Sequence, residues 1–232
     1  MEAVAAQPVL VSVIGPPGTG KSTIVATLAA NGGIPVFRLR ETVRQRPDLL
    51  AGFAPSTDPL GWINLEAVRR VLHAVLVEEQ LGFGSAVVLL DNFPGTASQL
   101  DLLAEVATQL QASPALLELH AAVETVVTRV AQRRVCFACG PDAYAPAIPT
   151  PGDIERCSAC GATLSRRDSD VPRLHGLRLA RYSANLPEIT ETAAQRGIPH
   201  ARIDANAGLV EVCASAHHAL GQLTAFTVSR RR

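Results

Sequence analysis

An excess of basic residues is the first thing this sequence lacks. Its 21 Lys and Arg residues are matched by 21 Asp and Glu, giving zero formal net charge over 232 residues. A general nucleic-acid binder grips phosphates with a large cationic surplus, so that class is excluded. Aromatics are scarce as well, at 4% against 47% apolar residues overall, so the core must be assembled mainly from Ala, Val, Leu and Ile. No apolar run is long enough to span a bilayer. Met1 to Ala6 include Glu2 and no basic stretch, and the first apolar run, Val9 to Ile14, ends in a glycine-rich turn rather than a cleavage site. There is no internal repeat. The expectation is a soluble, cytoplasmic monomer with no membrane or nucleic-acid partner. In a reducing compartment, paired Cys-x-x-Cys motifs favour a metal over a disulfide.

What is present is ordered punctuation. Val9 to Ile14 is a β-branched run consistent with a buried parallel strand. Helical texture follows over Ile24 to Ala30, closed by Asn31-Gly32-Gly33, and again over Leu65 to Gln80 with Asn64 as N-cap. Ala86 to Leu90 reads as a strand ending at Asp91, Ser98 to Gln111 as a helix, Ala115 to His120 as a strand and Val123 to Arg134 as a helix. Two further helices are expected at Leu174 to Tyr182 and Leu186 to Arg196, then a strand at Ala201 to Ile203 and a helix from Leu209. Alternating strands and helices point to an α/β fold with a helix-covered parallel sheet and right-handed crossovers. Segments 1–36, 81–134 and 171–232 form the expected core, with 37–80 and 135–170 inserted into it.

Gly15 to Ser22 fits G-x-x-x-x-G-K-[ST] between an expected strand and an expected helix, the context a P-loop requires. Gly15, Gly18, Thr19 and Gly20 let backbone N–H groups point at phosphate oxygens, and the helix N-terminus adds a favourable dipole. Lys21 reaches the β- and γ-phosphates, while Ser22 or Thr23 and the strand-terminal Asp91 suit Mg²⁺, directly or through water. This implies ATP or a similar triphosphate and leaves the acceptor open.

Cys136-x-x-Cys139 and Cys157-x-x-Cys160 are matched half-sites, closed by Gly140 and Gly161. Four thiolates in that pattern suit tetrahedral Zn²⁺ of the zinc-ribbon kind. The segment of about 36 residues has too little apolar content for its own core, so the metal would supply its folding energy. The role is structural because four ligands saturate the ion. Cys213 stands alone and reads as a small apolar core residue.

Taken together, the P-loop and the four-cysteine segment make the chain resemble the long, zinc-lid bacterial adenylate kinases over nearly its whole length. Asp91-Asn-Phe-Pro-Gly-Thr-Ala-Ser-Gln99 is similar to the family's Asp-Gly-Phe-Pro-Arg-Thr-x-x-Gln block. Arg129, Arg133 and Arg134 resemble the Arg-x-x-Gly-Arg-Arg run before the lid, and Leu164-x-x-Arg167-x-x-Asp170 with Arg178-Leu-x-x-Tyr182 the block after it. The resemblance implies that Arg129 stacks on the ATP base, Arg133, Arg167 and Arg178 clamp the transferring phosphoryl group, Arg44 holds the acceptor phosphate and Gln99 reads the acceptor adenine. Guanidiniums suit that work because they bind dispersed phosphoryl charge bidentately.

The departures concentrate on the acceptor side. Gly95 stands where the family has Arg, Asn92 where it has Gly, Leu39-Arg40-Glu41 where it has Thr-Gly-Asp, and Ile63-Asn64-Leu65 where it has Val-Pro-Asp. Ser169 and Ala145 replace an Asp and a His, and Lys21-Ser22-Thr23 replaces Lys-Gly-Thr. Arg40 is the residue expected to meet an extra or displaced negative charge, and Asn92 is expected to crowd the acceptor base. Three readings follow. They are an adenylate kinase weakened toward AMP, a kinase of another small phosphorylated or nucleotide-like acceptor, and a non-catalytic ATP-binding regulator.

Overall fold

The computed structural model describes residues 8–82, 84–139 and 146–229. Gly140 and Ala145 therefore lie outside the described residues. Five parallel strands form the central sheet: β1 (Val9–Ile14), β2 (Val36–Phe37), β3 (Val87–Asp91), β4 (Ser113–His120) and β7 (His200–Asp204), in the order β2-β3-β1-β4-β7. Among the described residues seven α-helices accompany them: α1 (Lys21–Gly32), α2 (Leu39–Gln45), α3 (Leu65–Leu72), α4 (Ala97–Gln109), α5 (Val123–Gln132), α6 (Pro172–Gln195) and α7 (Leu209–Ser229). Two short antiparallel strands, β5 (Pro149–Thr150) and β6 (Asp153–Cys157), lie in the cysteine segment. Among the described residues no helix is long and apolar enough to cross a membrane.

Every residue of β1 is buried, because the pleat serves a core on each face. Val9, Val11 and Val13 pack with Ile24, Val25 and Leu28 of α1 and Val212, Ala216 and Leu220 of α7. Leu10 points the other way, toward Val68 and Val71 of α3 and Leu102, Leu103 and Val106 of α4. Phe37 joins that second core, its ring edge-on to Phe93 at 6.0 Å between centroids. The expected boundary at 36/37 thus falls inside β2, and the 37–80 segment shares its apolar packing with the sheet.

Two helical readings need correction. The expected break between Tyr182 and Leu186 is absent, and α6 runs unbroken through Pro187. Proline costs one backbone bond, but Ile189 and Ala193 behind it are buried against Ile14, Leu100, Leu116 and Ile198, and that packing outweighs the lost bond. The expected helix over Leu65 to Gln80 starts as read, with the Asn64 side chain accepting from the Ala67 N–H at 2.7 Å, but gives way after Leu72 to a π-helical turn, His73–Glu78. Both β2 and α2 are too short to leave a periodic signal. Cys213 is partly buried and packs against the α1-side core.

Candidate active site

The site opens at the C-terminal ends of the central strands, where crossovers leave the sheet to opposite sides. β1 delivers the P-loop. Gly15 and Gly18 are demanded by space, since a Cβ on Gly15 would sit 2.5 Å from the Leu119 carbonyl and one on Gly18 2.7 Å from the Val126 carbonyl. Gly18 also adopts φ 104°, which L side chains rarely do. Gly20, in the left-handed region, precedes α1 without any side-chain cap, so the helix offers its first N–H groups to an anion.

Lys21 is the only lysine of the chain. It is buried, and its Nζ folds back onto the carbonyls of Gly15 at 2.7 Å and Pro16 at 2.9 Å. Burial pushes its pKa down to about 7, with Arg178 and Arg133 pushing the same way and Asp91 opposing them. Across the loop, buried His175 of α6 hydrogen-bonds the Pro17 carbonyl at 3.1 Å, tying the loop to the helix that carries Arg178.

Asp91 ends β3 beside Val13 of β1. Its Oδ2 pairs with Arg38 Nε at 3.1 Å, while Oδ1 is buried with no hydrogen-bond partner among the described residues. A carboxylate oxygen stranded in this way fits a cation or its bound water, so the donor set of Asp91, Ser22 and Thr23 suits Mg²⁺.

One cavity of 720 Å³ collects most of the expected residues: Gly15, Gly18, Gly20, Lys21, Ser22, Thr23 and Asp91 from the P-loop and β3, Arg133, Arg167 and Arg178 from the lid and its flanks, and Arg40, Arg44 and Gln99 from α2 and α4. Thr19 is buried beneath the loop and donates to the Pro16 carbonyl at 2.9 Å. Arg133 forms a two-pronged pair with Asp170, Nε to Oδ2 at 2.7 Å, and Arg178 Nη1 stands 3.9 Å from Asp170 Oδ1. Asp170 alone does not neutralise the group. Burial, then Arg40 and Arg133, hold Arg178 down to about 10, with Asp170 opposing, so an anion brought beside it would favour its charged form. Arg40 is itself desolvated and pushed down, with only Asp58 opposing.

Arg129 lies apart. It does not line the cavity; its Nη1 and Nη2 donate to the carbonyls of Ala205 at 2.7 Å and Ala207 at 3.2 Å, in the loop after β7. Asn92, which stands where the family has Gly, lines the same cavity. It is exposed in the left-handed region (φ 58°), a conformation that asparagine tolerates better than other non-glycine residues.

In the cysteine segment, Sγ atoms of Cys136, Cys139, Cys157 and Cys160 all lie within 4.8 Å of one another. Adjacent separations of 3.3–3.7 Å are far too long for a disulfide and close to the ~3.8 Å expected between sulfurs bound tetrahedrally at ~2.3 Å. Backbone N–H groups of Ala159 and Cys160 hold the Cys157 thiol down to about 7, while the crowding of thiols pushes Cys139 up. Four thiolates coexist there only with a cation to share, and the donor set fits Zn²⁺.

Sequence reasoning passed over Trp62. Gly95 is packed beneath Trp62: a Cβ there would lie 2.6 Å from the indole Cη2. The guanidinium of Arg181 sits 5.0 Å above the same ring and pairs with Asp58 at 2.8 Å. The available signal was that the chain's one Trp lies in the 37–80 insertion while the Phe-Pro block has lost its Arg at Gly95.

Comparison with known proteins bears on this geometry. A family profile described as an AAA domain matches residues 10–136. A protein of Syntrophotalea carbinolica named adenylate kinase is 30% identical over 74% of this chain and 80% of its own length. One of that name from Salinispora tropica is 31% identical over 74% and 79%, and one from Caldicellulosiruptor saccharolyticus 28% identical over 80% and 87%.

Proposed function

Because the chain belongs to the adenylate kinase family, we propose that it is an ATP-dependent nucleoside monophosphate kinase that transfers the γ-phosphoryl group of ATP to AMP. The relatives support nucleotide kinase chemistry. The observation that supports transfer to a nucleoside monophosphate is the convergence of Lys21, Arg133, Arg167 and Arg178 on one cavity that Arg40, Arg44 and Gln99 also line.

In this reading the P-loop N–H groups and Lys21 hold the β- and γ-phosphates, and Lys21 exchanges two loop carbonyls for phosphate oxygens. Arg129 of α5, tied to the loop after β7, provides the surface for the ATP base. Arg133, Arg167 and Arg178 close on the transferring group as its equatorial oxygens gather charge. Arg44 and Arg40 hold the acceptor phosphate, which attacks as an anion, so no general base is needed. Bound Mg²⁺ would neutralise charge across the terminal phosphates, held by Ser22 or Thr23 and by Asp91. Zn²⁺ on the four cysteines would stiffen segment 135–170, from which Pro146, Arg167 and Asp168 reach the cavity and exclude water.

A second reading, transfer to a different small phosphorylated acceptor, draws on the Trp62–Gly95 packing, which occupies space beside Gln99. Supplying ATP with a panel of monophosphates and separating the nucleotide products discriminates the two. AMP giving ADP fastest supports the first, and another acceptor outrunning AMP supports the second.

A further inference from the structure

The Trp62 end of the cavity has an unusual construction for a charged cleft. Leu39, Val43, Leu60 and Ile63 give it an apolar lining, and the half-buried indole of Trp62 stands among them. Two contacts fix that indole. Its benzo edge rests on the Cα of Gly95, where any side chain would collide with three ring atoms at 2.6, 3.2 and 3.3 Å. Arg181 covers it at 5.0 Å and is anchored in turn by Asp58. Gly95 cannot recede, because its N–H donates to Gln99 Oε1 at 2.8 Å and its carbonyl accepts from Asn185 Nδ2 at 2.8 Å.

Gly95 has no positive φ, so glycine is needed here for room alone. The same contacts define the face that Gln99 offers. A backbone N–H only donates, so the Gln99 atom beside it is the oxygen, and its amide N–H₂ is the group left for a ligand. A rigid indole beside an amide donor, with Arg40 and Arg44 lining the same cavity, suits a ligand with a flat ring, a hydrogen-bond acceptor on that ring and a phosphate. A nucleoside monophosphate has all three.

Resting on the kinase reading above, we propose that Trp62 is a specificity-determining residue of the acceptor subsite. Its indole is the wall against which the acceptor's base packs, and its seat on Gly95 sets where that base lies. Arg181 and Asp58 act as positioning residues that hold the ring.

Trp62 is the only tryptophan, so its emission reports this site without labelling. The test titrates full-length protein, saturated with a non-hydrolysable ATP analogue, with AMP, GMP, CMP and UMP, and measures steady-state kinetics alongside. At least one monophosphate is expected to change Trp62 emission saturably. Trp62→Leu is expected to raise the KM for that acceptor roughly 10- to 100-fold, the scale of losing one base–aromatic stack, with kcat and the KM for ATP within about twofold. Trp62→Phe should recover much of the loss. Gly95→Arg alone should weaken acceptor binding because Trp62 is in its way, whereas adding Trp62→Leu should relieve that effect, a non-additive result.

If wild-type protein phosphorylates a monophosphate but Trp62→Leu leaves its KM within about twofold, the Trp62 assignment is overturned and the kinase reading stands. A saturable emission change without transfer supports the subsite and removes the kinase reading. Silence in both emission and transfer across the panel overturns both. Additive effects of Gly95→Arg and Trp62→Leu would contradict the seat on Gly95.

Discussion

The P-loop end of the cavity is built from backbone, and the Trp62 end from side chains. At the first, glycines clear space against Leu119 and Val126, and the main chain presents the N–H groups that meet phosphate. At the second, one glycine clears space for an indole, and a guanidinium, an amide and apolar side chains do the rest. A backbone cradle binds whatever carries a polyphosphate and tolerates little drift, because altering it alters the chain path. A side-chain pocket is remade by a few substitutions while the sheet beneath it stays put. On the kinase reading proposed above, catalytic competence and acceptor choice are therefore separable properties, the first tied to the P-loop and the second to the side chains around Trp62.

The largest effect expected on either end is from Lys21→Met. Removing the one cation that exchanges loop carbonyls for phosphate should lower kcat about 10²- to 10³-fold while the thermal midpoint stays near that of the wild type. Retention of turnover would place the chemistry elsewhere. Arg44→Ala should act on the other end, raising the acceptor KM about 10- to 100-fold through loss of a charge-assisted contact, with the KM for ATP little changed. Equal changes in both would erase the distinction between the ends.

The cysteine segment gives a third test. Metal analysis of reduced protein should find one zinc per chain, and Cys157→Ser should lower the thermal midpoint by about 5–10 °C while ATP binding persists. Zinc-free protein of wild-type stability would remove the structural role.

The smallest effect is a proton. Burial depresses Lys21 to about 7 in the empty protein, whereas bound phosphate favours the charged form. Binding ATP near pH 8 should therefore take up close to one proton (roughly 0.9 for a group titrating near 7), visible as a dependence of calorimetric heat on buffer ionisation enthalpy and absent in Lys21→Met. The sign follows from the depressed value: the unfolded chain keeps Lys21 protonated up to its ordinary range, so the empty protein gains stability as pH rises through and above 7, while ATP affinity falls over the same interval.

The same contrast explains what the sequence revealed. The P-loop, Asp91 and both Cys pairs were legible because each is a local spacing whose geometry follows from a few adjacent residues. The strands and most helices were legible too, through buried β-branched runs, the Asn64 cap and apolar period. The unbroken course of α6 through Pro187 was not, since it depends on Ile189 and Ala193 packing against distant residues. Trp62 was missed for the same reason. Its meaning lies in contact with Gly95 and Arg181, both far away in sequence, and read locally it is a lone aromatic in a loop. Likewise the Arg38–Asp91 pair joins two elements that no spacing relates.

Phosphoryl transfer between two nucleotides within this cavity is the central step of the proposed function. Incubating the protein with γ-labelled ATP, Mg²⁺ and each nucleoside monophosphate, then following the label, measures this directly. The label is predicted to appear in a nucleoside diphosphate, with release as inorganic phosphate slow by comparison. Label remaining in ATP for every acceptor, from protein that binds ATP and carries its zinc, would contradict the account.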